Sequence, residues 1–109
     1  MPDVAENACL ALCNIAIFPA GQDACVSEGA VPAIVAALRA HASVPAVVEQ
    51  ASWALRNIGW TNPSHRVAIV AAGAVPLLAA AFSTHTGEAS LSAYEALDKL
   101  DYTYAGVPK

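Results

Sequence analysis

The sequence is poor in charged residues. Only 13% of its 109 residues are charged, against roughly 25% in ordinary soluble domains. Five residues are lysine or arginine, and the formal net charge is −4. Proteins that bind nucleic acids usually carry a basic stripe that pairs with the phosphates. We therefore expect no nucleic-acid partner.

Cysteine is also scarce, with three residues and no spacing typical of a secreted disulfide scaffold. The first six residues contain two acids and no base, so we expect no signal peptide and a cytoplasmic or nuclear location. Cys9 and Cys13, four apart on a helix, could supply two zinc ligands if Cys25 and a histidine completed the site. No zinc-finger spacing is present, and a buried free cysteine behaves as a small apolar residue. We expect no metal and no cofactor.

One run without charged residues, 67–87, is long enough to raise the question of a membrane span. Gly73 and Pro76 divide it into two short pieces, and polar residues follow at 83–86. This pattern favours a pair of buried helices, so we expect no membrane partner. Hydrophobic residues make up 57% of the chain, which suffices for the core of one domain.

The chain contains an internal repeat of 42 to 44 residues. Residues 6–17 and 49–60 share six of twelve residues, and residues 29–38 and 73–82 share six of ten. A weaker third copy pairs Leu55 with Leu97. Such a period is typical of helical solenoids. Proline and glycine positions predict a short helix, a glycine break, a medium helix, a polar turn and a long helix in each unit.

These residues resemble the armadillo repeat. The resemblance rests on Gly-Ala-Val-Pro at 29–32 and 73–76, and on Ala-Leu-x-Asn-Ile at 11–15 and 54–58. It implies an all-α fold, a right-handed armadillo-type α-solenoid of three-helix repeats. We predict a single domain over 1–109, divided into the third helix of a partial repeat, two complete repeats and a loose tail, at 4–19, 20–60, 61–101 and 102–109.

The resemblance also implies a non-catalytic scaffold that holds an extended peptide or protein segment in a concave groove lined by the third helices. In the nuclear-import adaptors of the family, a tryptophan and an asparagine one turn apart bind the peptide, and here the match is Trp53 and Asn57. The same helical face in the three copies predicts a groove formed by Asn7, Leu10, Asn14, Gln50, Trp53, Asn57, Ser92, Glu95 and Lys99. Import-adaptor-like cargo binding is an alternative, although only one full Trp/Asn pair exists.

Several of these residues have a purely structural interpretation. Asn14 and Asn57 could bond the backbone of a neighbouring repeat, and Trp53 could be buried between long helices. Trp60 is expected to pack rather than bind. The segment Ser64-His65-Arg66 begins a helix and could hold an anion or simply cap that helix.

A second function class is a structural element that self-associates. The first long helix lacks the two helices that should cover it, and solenoid repeats cannot bury an apolar face alone. We predict a self-association face at Cys9, Leu12, Ile15 and Ala16, and a homo-oligomer for the isolated chain. No arrangement of a base and a nucleophile is present in the sequence, so we predict that the protein is not an enzyme.

Overall fold

A computed structural model describes residues 2–109 of the chain, and within them it has seven α-helices and no strand. The helices are α1 (Pro2–Ile15), α2 (Pro19–Ser27), α3 (Ala30–Ala40), α4 (Pro45–Ile58), α5 (Pro63–Ala71), α6 (Ala74–Thr84) and α7 (Gly87–Lys99). The predicted all-α fold is confirmed. The prediction that residues 4–19 form one helix is wrong, because α1 ends at Ile15 and α2 already begins at Pro19.

Proline and glycine set the helix boundaries, as their chemistry dictates. Pro19, Pro45 and Pro63 each open a helix, where the missing amide hydrogen costs nothing. Gly29 and Gly73 adopt left-handed backbone angles, with φ of 81° and 90°, immediately before α3 and α6. That conformation is unfavourable for residues with a Cβ. Each glycine therefore allows the sharp turn between a short helix and the next one.

The three long helices α1, α4 and α7 pack side by side in one layer, with α4 in the middle. The shorter helices cover one side of this layer, with α3 packed on α4 and α6 packed on α7. The core consists of aliphatic residues and alanines from both layers. The largest fully buried side chains include Ile34, Leu55, Ile58 and Leu97. This layering leaves the other side of the long helices facing outward.

Polar side chains join the repeats at the ends of the long helices. Gln22 donates to the carbonyl of Ala16 (3.1 Å) and accepts from the hydroxyl of Thr61 (3.3 Å). Arg66 donates to the carbonyls of Gly59 (2.7 Å) and Trp60 (3.0 Å) at the end of α4. A guanidinium there satisfies free carbonyls and complements the helix dipole. Arg66 therefore caps α4.

His65, in the segment that begins α5, is buried. Its Nδ1 lies 3.2 Å from the carbonyl oxygen of Ile58, and its Nε2 lies 3.0 Å from a carboxylate oxygen of Asp23. The imidazole thus connects α2, α4 and α5. The start of α5 is capped separately by Asn62, whose side-chain oxygen accepts from the amide of Ser64 at 2.8 Å.

The C-terminal segment 102–109 is folded, and the prediction of a loose tail is wrong. Tyr102 pairs with Pro108 in an antiparallel bridge, and the amide of Lys109 donates to the carbonyl of Asp101 at 2.9 Å. The ring of Tyr104 lies 5.4 Å from the ring of Phe82 on α6. Aromatic contact and backbone hydrogen bonds together outweigh the entropy of this short segment.

Among the described residues, no single helix is long and apolar enough to cross a bilayer. Helices α5 and α6 together are long and apolar enough to cross a bilayer, but the chain bends by 79° between them. The residues Ile69, Val75 and Leu78 of this pair are buried within the protein core.

The close approach of α1 and α2 generates a prediction. A Cβ added to Gly21 would overlap the carbonyl oxygen of Ile15, which is backbone and cannot rotate away. We expect Gly21→Ala to lower the free energy of unfolding by about 1–3 kcal/mol, a typical cost of overpacking. Urea unfolding followed by circular dichroism measures this change.

Gly29→Ala is the matched control, because an added Cβ there meets no neighbour and only the left-handed backbone is strained. Its expected cost is about 1 kcal/mol. A gain in stability for Gly21→Ala, as for an ordinary glycine in a helix, would contradict the close approach.

Candidate protein-binding surface

The outward side of the long helices carries a row of stacked aromatic and cationic side chains. The guanidinium carbon of Arg56 lies 4.1 Å from the ring centre of Trp53 and 5.3 Å from that of Trp60. The ammonium of Lys99 lies 3.8 Å from the ring of Trp60. Each contact is a cation–π interaction, in which the face of the indole attracts the positive charge. We call Trp53, Arg56, Trp60 and Lys99 the indole–cation row.

An ion pair connects the indole–cation row to α7. Arg56 donates to a carboxylate oxygen of Glu95 at 2.9 Å, and both side chains are partly exposed. Because water screens such a pair, it contributes little to stability. Its effect is geometric, since it orients the guanidinium between the two indoles.

The predicted groove residues fall into three groups. Asn7, Leu10 and Asn14 on α1 are exposed, and Gln50, Trp53, Glu95 and Lys99 are partly exposed. Asn57 and Ser92 are buried. The hydroxyl of Ser92 donates to the carbonyl of Ala89 at 3.0 Å within its own helix. Ser92 is therefore not available to a ligand, and its inclusion in the groove is wrong.

Asn57 binds the neighbouring long helix. Its amide nitrogen donates to the carbonyl oxygen of Cys13 at 3.0 Å, and its side-chain oxygen accepts from Arg56 at 3.1 Å. Cys13 lies in the last turn of α1, where carbonyls have no partner within the helix. Asn57 is only 9% exposed. Its amide thus has the structural role considered above, a bond to the backbone of the neighbouring repeat.

Sequence reasoning missed Arg56 and assigned Trp60 to packing, whereas Trp60 is 47% exposed. A spacing signal was present. Arg56 follows Trp53 by three residues, and this spacing places two side chains on one helical face. Trp60 lies beyond the end of α4, so helical spacing does not place it. The contact of Lys99 with Trp60 joins two different helices, so no local spacing could reveal it.

Two cavities flank the indole of Trp60. One, of about 310 Å³, is lined by Ala16, Ile17, Gln22, Arg56, Asn57 and Trp60. The other, of about 170 Å³, is lined by Arg56, Trp60, Glu95, Asp98 and Lys99. The first is lined by both apolar and polar side chains, and the second is lined by charged side chains of both signs beside the indole. Each can accept a side chain of a bound segment.

The predicted self-association face needs correction. Cys9 and Ala16 are buried in the core, and Leu12 is partly buried against it. Only Ile15 is exposed. The error is one of helical phase: Cys9, Leu12 and Ala16 lie on the side of α1 that packs on α4, whereas Ile15 faces away from it.

The three cysteines are free thiols; Cys9 and Cys25 are buried and Cys13 is partly buried. Burial raises the pKa of the Cys9 and Cys25 thiols. Burial also raises the pKa of Cys13, and the nearby Arg56 guanidinium offsets this only in part. Within residues 2–109, no three histidine, cysteine or acidic side chains converge in a way that could hold a metal ion.

Comparison with known families identifies the fold. Residues 18–59 match the family model of the armadillo/beta-catenin-like repeat, and this segment contains α2, α3 and α4. Comparison with curated proteins gave no match. The match supports a partial array of armadillo repeats, and the seven helices are consistent with an α-solenoid. Armadillo repeats generally mediate protein–protein interactions and are typically non-catalytic.

The different environments of two asparagines yield a second prediction. We expect Asn57→Ala to lower the free energy of unfolding by about 1–3 kcal/mol, because the carbonyl of Cys13 loses its partner. Asn14, the repeat equivalent of Asn57, is exposed, and Asn14→Ala should change stability by less than about 0.5 kcal/mol. Urea unfolding of both variants makes the comparison, and equal effects would contradict the bridging role of Asn57.

The cysteine environments yield a third prediction. A raised pKa keeps a thiol protonated at neutral pH, and only the thiolate reacts. We expect an aromatic disulfide reagent to label the folded protein at least about tenfold more slowly than free cysteine. The rate should rise with pH, and denaturant should expose all three thiols. Rapid labelling of Cys13 in the folded state would show that burial does not control its pKa.

Proposed function

We propose that the protein binds an extended protein segment across the outward surface of α1, α4 and α7. The observation that carries this proposal is the indole–cation row, which leaves two large aromatic side chains partly exposed on one surface. Tryptophan and arginine are the residues most enriched at the energetic centres of protein interfaces. The row is also bordered by the two cavities beside Trp60, which supply depth for side chains.

The indole faces bear on how the segment is held. Arg56 lies over one face of Trp53, and both Arg56 and Lys99 lie over the ring of Trp60. A lysine or arginine of the segment could stack there only by displacing them. We therefore propose that the segment is held by its main chain and by apolar or short polar side chains that enter the two cavities. Exposed Asn7 and Asn14 on α1 extend this surface and offer amide donors and acceptors to the main chain.

Binding of nuclear-import cargo has weaker support. That chemistry needs an asparagine amide free for the peptide backbone and an open indole face for a cation. Here the amide nitrogen of Asn57 is bound to Cys13, and one face of Trp53 is covered by Arg56. The single Trp/Asn pair of the sequence thus contributes to the fold as much as to a binding surface.

A peptide-library selection against the full chain tests the proposal. The chain has two tryptophans, Trp53 and Trp60, and both lie in the row. Tryptophan fluorescence therefore reports on this surface alone. We expect selected peptides to change the emission, and Trp53→Ala or Trp60→Ala to raise the Kd about tenfold, which corresponds to about 1.4 kcal/mol.

Val67→Ala is the matched control, since Val67 is a large exposed side chain on α5, away from the row. It should leave the Kd unchanged. Circular dichroism of each variant verifies folding. Failure to select any peptide whose affinity depends on the two tryptophans would contradict the proposal.

A further inference from the structure

A second surface, on α1, is apolar and uncovered. Val4, Ala8, Ala11 and Ile15 are spaced by four, three and four residues, which places them on one face of the helix. All four are exposed; Val4 is 62% and Ile15 50% accessible. Phe18, just beyond the helix, is 69% accessible. We call the four helical residues the α1 stripe.

The internal repeat shows how unusual this exposure is. The residues of α4 at the equivalent positions, 43 further along, are Val47, Ala51, Ala54 and Ile58, identical in type to the α1 stripe. Every one of them is 0% exposed. The same four residue types are therefore completely buried in one repeat and exposed to water in the other. Burial of apolar surface is favourable by about 25 cal/mol per Å². Covering the α1 stripe with another apolar surface would therefore be favourable.

We infer that the occupant is a second copy of this chain, packed through α1 about a two-fold axis with the two helices antiparallel. The order of residue sizes in the stripe is large, small, small, large, and its spacings are the same from either end. An axis between Ala8 and Ala11 therefore places Val4 against the partner's Ile15 and Ala8 against the partner's Ala11. The central alanines let the helix axes approach closely, and a self-complementary patch is what a two-fold interface requires.

Charge distinguishes the antiparallel arrangement from the parallel one. The charged residues of α1 are Asp3 and Glu6, both in its N-terminal half, and its last turn has no base. A parallel pair would bring these acids together with their copies and align the two helix dipoles. An antiparallel pair separates the acids by most of the helix length and opposes the dipoles, which is favourable. No charged residue lies within the stripe itself.

At the opposite end of the molecule, the C-terminal tail covers part of the second layer. The folded tail lies over α6, where Tyr104 contacts Phe82, and a Cβ on Gly106 would lie 3.3 Å from Ala79. The tail thus covers a face of α6, whereas none of the described residues covers the α1 stripe. The inference is independent of the proposed segment binding, because the stripe and the indole–cation row lie on different faces of the array.

Charge substitutions at two exposed positions test the inference by light scattering over a range of concentrations. The wild-type mass should approach twice the 11.1 kDa of one chain. Ala8→Glu and Ala11→Lys should each raise the dimer dissociation constant at least about tenfold, because each buries an unpaired charge. Ala36→Glu, at an exposed alanine in the middle of α3, is the matched control and should dimerise as wild type does.

Mixing the two variants examines the register. In the antiparallel dimer, position 8 of one chain faces position 11 of the other, so the mixture of Ala8→Glu and Ala11→Lys chains should form a heterodimer through opposite charges. A parallel dimer would not pair these charges. The inference is overturned by a wild-type monomer at all concentrations, by dimers that both variants leave intact, or by a mixture that stays monomeric.

Discussion

The burial of α4 between its neighbours is the constraint on which the rest of this structure depends. Helix α4 is covered by α1 on one side, by α7 on the other and by α2 and α3 behind. Its apolar stripe is completely removed from water. Because only one side of this helix stays open, Trp53, Arg56 and the adjoining Trp60 are confined to that side. The candidate binding surface is thus a consequence of how the central helix is packed.

Polar side chains determine the relative positions of neighbouring helices more precisely than apolar packing alone does. Asn57 bonds α4 to the end of α1, Gln22 bonds α2 to the turn after α1, and Arg66 caps α4 from α5. Apolar contact is non-directional, whereas each of these bonds has a defined donor and acceptor. The glycines add a steric condition, since the approach of α1 to α2 depends on the missing side chain of Gly21.

Helices α6 and α1 differ in whether another segment of the chain covers their outer apolar residues. At the C-terminal end, residues 102–109 fold back and place Tyr104 on Phe82. On α1, the stripe repeats residue types that are buried in α4, yet its own side chains are exposed among the described residues. Large apolar patches on a protein surface usually mark interaction sites. Association through this stripe and binding along the outward surface involve different faces, so both can occur on one molecule.

The repeat, the all-α fold and most helix boundaries followed from the sequence, because proline, glycine and helical periodicity act over a few residues. Helical spacing also grouped Trp53, Glu95 and Lys99 on one predicted face, and all three side chains are partly exposed. Only the tertiary structure determined which groups contact one another. The amide of Asn57 donates to the carbonyl of Cys13, Arg56 lies between two indoles, and Lys99 of another helix lies over Trp60. It also decided that the tail folds back and that Cys9 and Ala16 are covered. Such outcomes depend on contacts between residues far apart in the chain, for which local sequence patterns carry no information.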